Sequence, residues 1–426
     1  MTVYQAIASP GCGCDVQDLR HSLISIDDAL ARIALHVAPV RRSEAVGLEH
    51  AFGRILSQPI KSRSMAPPFD NAAMDGYALD TSALTGNGPW ALQVVARVPA
   101  GEQTTTSLAG ATAVRIFTGA PIPDGVDAVV MQEDVTRVGD VITVFRRPAS
   151  GLNIRQTGSD MAKGATVLDE GKRLDSRDIA ACAAAGAGIV RVRRRLRVAL
   201  LVTGDEVRRA GSARDVAQIW DVNTPMLTAS LASAGVKVLH SAYCADNRAD
   251  LVRQLGSLAA QTDLVITTGG ISVGEEDHVK PAFMDLTGET LFSGVAIKPG
   301  KPVSCGRIGT TLWLGLPGNP VSAYVTWQVF GMALIRGLTG EVAHAPVRRH
   351  VVTAASIHRK PGRCELRPAT LAGFDANGRE IVQFDGASHS ARVGRLPLAD
   401  GLMFLPADAE SLPAGALVEF QPFCQF

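Results

Sequence analysis

The chain has 426 residues, room for roughly two to four domains, with 46% hydrophobic content and a formal net charge of +1. Mean hydropathy is near zero, and together these values describe real cores with neither a polybasic nucleic-acid surface nor an acidic tail. The densest basic run, RVRRRLR at 191–197, precedes a predicted strand and is expected to be a solvated connection. No apolar run reaches membrane-spanning length, and no charged-then-apolar leader opens the chain. The seven cysteines are scattered and odd in number, which suits a reducing compartment. Cys12 and Cys14 lack partners at zinc spacing and are expected to be free thiols in a disordered tail over 1–21. A cytoplasmic protein that uses neither membrane nor nucleic acid is expected.

In chain order, Ser25 is placed to cap a helix with Asp28 in its first turn. Residues 43–57 carry Val46, Leu48, Ala51, Phe52, Ile55 and Leu56 at roughly helical spacing and predict a second helix. A Pro-rich stretch, PPFDNAAMDGYA, then reads as a loop whose Asp75-Gly76 step is a turn or a site. Short β-rich runs over 90–147, broken by Gly, Pro and Asp, predict a small β domain. Within it Thr118 stands beside a glycine at a strand end, and Asp160 follows in the GSD step. An Ala-rich helix over 175–190 is expected to pack closely through its small residues. From 196 onward strand and helix alternate, which predicts a parallel sheet with right-handed crossovers. The final 85 or so residues return to strands and turns.

The most informative stretch is DLVITTGGISVGEEDHVK, starting at Asp263. Four apolar residues predict a buried strand that stops at Gly269-Gly270. Ser272 and Gly274 follow, and a helix is expected from about 275 to 286. Such a loop can turn its N–H groups toward an anion. Carboxylates at the helix start complement the helix dipole, or else flank a phosphate with a divalent cation between them. Glu206, Asp246, Asp277 and the Gly318-Asn319 turn all follow predicted strands, so in an open parallel sheet they share the ligand-binding edge. Lys298 and Lys301 are expected nearby. Competing motifs fail: there is no GxGxxG between strand and helix, the glycines before Lys301 lack P-loop spacing, and HExxH is missing.

Taken together and in order, PPFDNAAMDGYA, VTGDE, TTGGISVGEEDHVK, KPGKP and GLPGNPVSA resemble the molybdopterin molybdotransferases, the MoeA-type family that includes the C-terminal domain of gephyrin. The resemblance runs from about residue 25 to the end. It implies a multidomain α/β protein. A central, doubly wound and mostly parallel sheet domain (193–340) would be flanked by a discontinuous N-terminal mixed helical domain (22–62 and 150–192), a small β domain (63–149) and a C-terminal β-barrel (341–426).

It further implies insertion of molybdate into adenylylated molybdopterin with Mg²⁺-dependent release of AMP. Asp75, Thr118, Asp160, Glu206, Asp246, Asp277, Lys298 and Lys301 match functional positions of the family. Glu206 and Asp277 would hold Mg²⁺. Gly269, Gly270, Ser272, Gly274, Gly318, Asn319 and Ser322 would bind the pterin substrate. Lys298, Pro299, Ser322, Arg363 and Ser390 would bind molybdate. A homodimer is implied in which Asp75 and Thr118 face the partner's central domain, with a separate molybdopterin adenylyltransferase and apo-molybdoenzymes as further partners. A fold-retaining scaffold and a molybdopterin adenylyltransferase remain the alternatives. Three positions depart from the family pattern: Gly294 in place of a basic residue, His278 of a tyrosine, and Val222 of a hydroxyl residue.

Overall fold

A computed structural model describes residues 23–102, 108, 110–233, 235–272, 277–342, 348–384 and 392–423. The tail with Cys12 and Cys14, and the expected site residues Gly274 and Ser390, lie outside the described residues.

A six-stranded sheet forms the centre. Its order is Val236–Cys244, Leu196–Thr203, Leu264–Thr268, Thr311–Leu316, Ser304–Ile308 and Glu289–Ser293. The first four strands are mutually parallel, Ser304–Ile308 runs against them, and Glu289–Ser293 runs against Ser304–Ile308. Leu264–Thr268 is buried along its whole length, as a strand covered on both faces must be. One face packs on Leu251, Leu255 and Phe283. The other meets Trp327, Phe330 and Leu334 of the helical run that starts at Pro320. That run passes through a π-type turn, Trp327–Gly331, before Met332–Thr339. Because Leu196–Thr203 is followed outward by Val236–Cys244 while Leu264–Thr268 lies on its other side, the strand order reverses between them. This is where open α/β sheets leave a crevice.

Ser25 caps helix Ile26–His36 through a reciprocal box with Asp28. The helix buries Ile26, Ala29 and Ile33 in the core of the central sheet, and each large side chain so buried contributes about 1.5–3 kcal/mol. The helix expected over 43–57 does not form. Ser43–Gly47 is instead a strand paired with Ile189–Arg193, followed by a single 3-10 turn at Leu48–His50. Alternate residues Val46, Val190 and Val192 face one small core, and strand pairing outweighed an apolar spacing that fits both periods. The run 191–197 is likewise more than a solvated link. Asp263 accepts from Arg194 Nη1 and Nη2, each at 3.0 Å, and from Arg197 Nη2 at 3.2 Å, which ties the start of strand Leu196–Thr203 to that of Leu264–Thr268.

The small β unit is a mixed six-stranded sheet, with Gly76–Leu79 between Ala128–Met131 and Thr112–Ile116. In the C-terminal region, Cys364–Phe374, Glu380–Gln383, Arg349–Thr353, Leu417–Pro422 and Gly401–Leu405 pair in a ring. The last strand returns to the first, closing a five-stranded barrel. A two-residue strand, Ile297–Lys298, pairs in parallel with the start of the barrel strand Cys364–Phe374, at Cys364-Glu365.

Candidate active-site cleft

At the carboxyl ends of Leu196–Thr203, Leu264–Thr268 and Thr311–Leu316 lies a cleft of about 920 Å³. Glu206, Asp246, Asp277, Gly269, Gly270, Ser272, Gly318 and Asn319 all line it. The backbone explains the glycines. Gly269 has φ +91°, and a Cβ there would stand 2.7 Å from the Thr203 carbonyl oxygen. Gly318 approaches so closely that its own Cβ would meet Gly269 Cα at 3.3 Å. The two loops therefore pack backbone to backbone, leaving room beside them that side chains would otherwise fill.

The cleft is acidic on one wall. The Asp246 carboxyl is raised above the ordinary range, mainly by burial, with the charges of Asp205 and Glu206 adding to the effect. Its backbone N–H donates to Asp205 Oδ1 at 3.3 Å. Hard carboxylate oxygens crowded this way suit a small divalent cation that keeps part of its shell for phosphate and water. No group of three acidic, histidine or cysteine side chains closes on one point among the described residues.

The sequence left several members of this wall unassigned. Asp221 is buried and accepts from Thr224 N–H at 3.0 Å and from Tyr243 O–H at 2.7 Å. It thereby caps helix Asn223–Ser230, a role that Val222 cannot fill with its own side chain. Asn223 donates from Nδ2 to the Gly318 carbonyl at 2.8 Å, locking the first loop to the third. Trp220 stands half-exposed on the same rim, under the Arg214 guanidinium. A polar step between strand and helix was the signal available for Asp221 and Asn223. Gly294 is explained by its backbone: φ is +85°, and a Cβ would press on Leu23. The expected helix after the glycine loop shortens to Val279–Asp285.

The remaining predicted residues fall in two other places. Lys298 lies at the barrel seam, where its Nζ stands 3.6 Å from Glu365 Oε1. Pro299 follows it. Arg363 donates from Nη1 to the Ile297 carbonyl at 3.2 Å, so Lys298, Pro299 and Arg363 do come together. Lys301 uses its carbonyl to accept from Val295 N–H at 3.0 Å. Neither lysine lines the cleft, although Pro302 does. Ser322 is buried, with its carbonyl accepting from Thr326 Oγ1 at 2.7 Å.

The third group stands on the N-terminal units. Asp75 Oδ1 accepts from Thr118 N–H at 2.8 Å and Oγ1–H at 2.7 Å, and these bonds hold its carboxyl below the usual range. Asp70 repeats the arrangement with Thr157, at 2.7 and 2.6 Å. Asp160 donates its N–H to the Ala66 carbonyl at 2.9 Å. None of Asp75, Thr118 and Asp160 lines the cleft of its own chain.

Three family profiles account for nearly the whole chain: the MoeA N-terminal region (domains I and II) over 24–186, a probable molybdopterin binding domain over 199–337, and the MoeA C-terminal region (domain IV) over 350–423. The molybdopterin molybdenumtransferase of Haemophilus influenzae is 33% identical over 406 residues, 94% of this chain and 99% of its own. The chain belongs to the MoeA family. Molybdopterin molybdenumtransferase 2 of Mycobacterium tuberculosis is 34% identical, covering 91% of this chain and 97% of that protein. Among solved structures, the molybdopterin biosynthesis MoeA protein of Pyrococcus horikoshii matches with a TM-score of 0.80 at 27% identity, over 94% of this chain and 100% of that one. The mixed sheets and closed barrel are thus those of a MoeA protein. No helix among the described residues is long and apolar enough to cross a membrane.

Proposed function

We infer that this chain is a molybdopterin molybdenumtransferase, an enzyme of molybdenum cofactor biosynthesis whose substrates are adenylylated molybdopterin and molybdate. The observation that carries the reading is the cleft at the strand-order reversal, where two packed glycine loops face Glu206, Asp246 and Asp277. Backbone N–H groups of such loops suit the diphosphate. Lys298, Pro299 and Arg363 at the seam suit a tetrahedral dianion. Mg²⁺ held through Glu206 and Asp277 would supply charge neutralisation for the phosphoryl oxygens as the phosphoanhydride opens. Glu206 and Asp277, with Asp246 beside them, would hold the diphosphate through that ion, and Lys298 would offset the oxyanion's charge at the seam.

Asp75, Thr118 and Asp160 complete the cleft of a partner subunit, so the working form is a homodimer. Thr118 holds Asp75 ionised for that role. The chain divides into the N-terminal unit (22–62 with 150–192), the β unit (63–149), the central unit (193–340) and the barrel (341–426), with helix Ile26–His36 anchoring the first to the third. The protein works in the cytoplasm, receiving its substrate from an adenylyltransferase and passing product to apo-molybdoenzymes.

Equilibrium binding tests the assignment. Wild type should hold adenylylated molybdopterin in a Mg²⁺-dependent manner, and Glu206→Ala should lose that dependence. Binding of ATP with turnover in the absence of adenylylated substrate would replace this reading with an adenylyltransferase.

A further inference from the structure

Glu365 is a carboxylate without any exposed surface, on the barrel strand Cys364–Phe374. Three cations converge on it. Arg367 Nε donates to Oε1 at 3.0 Å, Arg359 Nε to Oε2 at 3.3 Å, and Lys298 Nζ stands 3.6 Å from Oε1. Burial alone would raise its carboxyl, but the bond from Arg367 and the charges of Arg367, Lys298 and Arg359 hold it below the usual range.

The partners differ in freedom. The two arginine side chains are 3% and 5% exposed, whereas that of Lys298 is 44% exposed. Arg359 also donates to the Pro406 and Ala409 carbonyls and to that of Arg363. Glu365 is therefore clamped from the barrel side and cannot follow the lysine, so the lysine is drawn to it. Parallel pairing sets Lys298 opposite Glu365 in register, and Arg363 fixes the same two-residue strand through Ile297.

We propose that Glu365 is a positioning residue, which holds the Lys298 ammonium of the central unit in the direction needed at the oxyanion end of the site. This rests on the functional reading above, in which Lys298 acts on the anion. The clamp also makes the barrel part of the machinery: its buried carboxylate aims a cation that belongs to another unit. A carboxylate beside an anion site opposes binding electrostatically, so its value lies in orientation, since a free lysine must lose rotamer freedom at each turnover.

The test uses the full-length enzyme and molybdate-dependent AMP release. Glu365→Gln should lower kcat about tenfold while KM for molybdate stays level or falls, because a negative charge has gone. Glu365→Asp, which keeps the charge, should recover part of the rate. Adding Glu365→Gln to Lys298→Ala should cost nothing further. Losses that multiply in the double variant, or a raised KM with unchanged kcat, would overturn the proposal and leave Glu365 a structural anchor for Arg359 and Arg367. An independent readout needs no turnover. Acylation of Lys298, followed by peptide mass spectrometry against Lys301 as internal reference, should quicken severalfold in Glu365→Asp and Glu365→Gln. Equal rates in all three proteins would sink the idea even if the enzyme proved inactive, whereas an inactive wild type with quickened acylation would fault the functional reading alone.

Discussion

Replacing Gly269 by alanine tests whether the cleft depends on the backbone contact between its loops. The residue sits at φ +91°, and the new Cβ would lie 2.7 Å from the Thr203 carbonyl oxygen and 2.9 Å from its Oγ1. Adopting that φ with a side chain costs about 1–2 kcal/mol, and forcing the strand end apart adds about 1–3 kcal/mol. Gly309→Ala serves as the control: its φ is +57° and nothing lies within 4 Å of the added methyl, so it should cost only about 1 kcal/mol. Urea unfolding followed by tryptophan emission reports mainly on the central unit, since three of the four tryptophans, Trp220 and the buried Trp313 and Trp327, lie in it and Trp90 alone belongs to the small β unit. Gly269→Ala should lose about 2–5 kcal/mol on this measure, and binding of adenylylated molybdopterin should weaken with it. If the two variants agree within about 0.5 kcal/mol, the scale of an ordinary surface change, the tight approach at Gly269 does not shape the cleft.

Mixing Asp75→Ala and Glu206→Ala subunits should restore part of the activity, because a heterodimer then contains one intact site. No recovery after verified exchange would place both residues in one subunit's site. Arg363→Ala removes a charge-assisted contact worth about 1.5–3 kcal/mol, so KM for molybdate should rise roughly ten- to a hundredfold while pterin affinity holds. Loss of pterin affinity instead would refute the division into two anion subsites. For Asp263, burial alone would raise the carboxyl, but the bonds from Arg194 and Arg197 hold it below its ordinary value. Its folded pKa is depressed, so its stabilising effect is full above the unfolded value of about 3.9 and is lost as pH falls through the folded value. Asp263→Asn should therefore destabilise the central unit by about 1.5–3 kcal/mol near neutrality and flatten the acid dependence of its unfolding. An unchanged acid limb would show that other groups govern it.

The central unit was legible because its signals agree. Leu196–Thr203, Leu264–Thr268 and Thr311–Leu316 are largely apolar runs followed by glycine or proline, the pattern of strands covered on both faces. Their shared edge gathered Glu206, Asp246 and Asp277 as the alternation predicts. The stretch at 43–57 misled because Val46, Leu48, Ala51 and Phe52 satisfy a helical spacing, while the partner strand that decides the matter, Ile189–Arg193, is some 140 residues away in the chain. Distance in sequence also hid Glu365. Nothing local marks a glutamate on a barrel strand as the partner of Lys298, and their pairing exists only once the two units meet. Asp263 was hidden in the same way, since Arg194 precedes a different strand and Arg197 lies in it. The cleft's capping residue, Asp221, takes its place by geometry: it caps the helix and binds Tyr243, which stands on a neighbouring strand.

The account stands or falls on coupling between molybdate and the loss of AMP. Purified protein, adenylylated molybdopterin and Mg²⁺ should release little AMP until molybdate is added. AMP and molybdenum cofactor should then form in equal amounts, and Asp277→Ala should abolish both. AMP release that ignores molybdate, or no release with every component present, would contradict it.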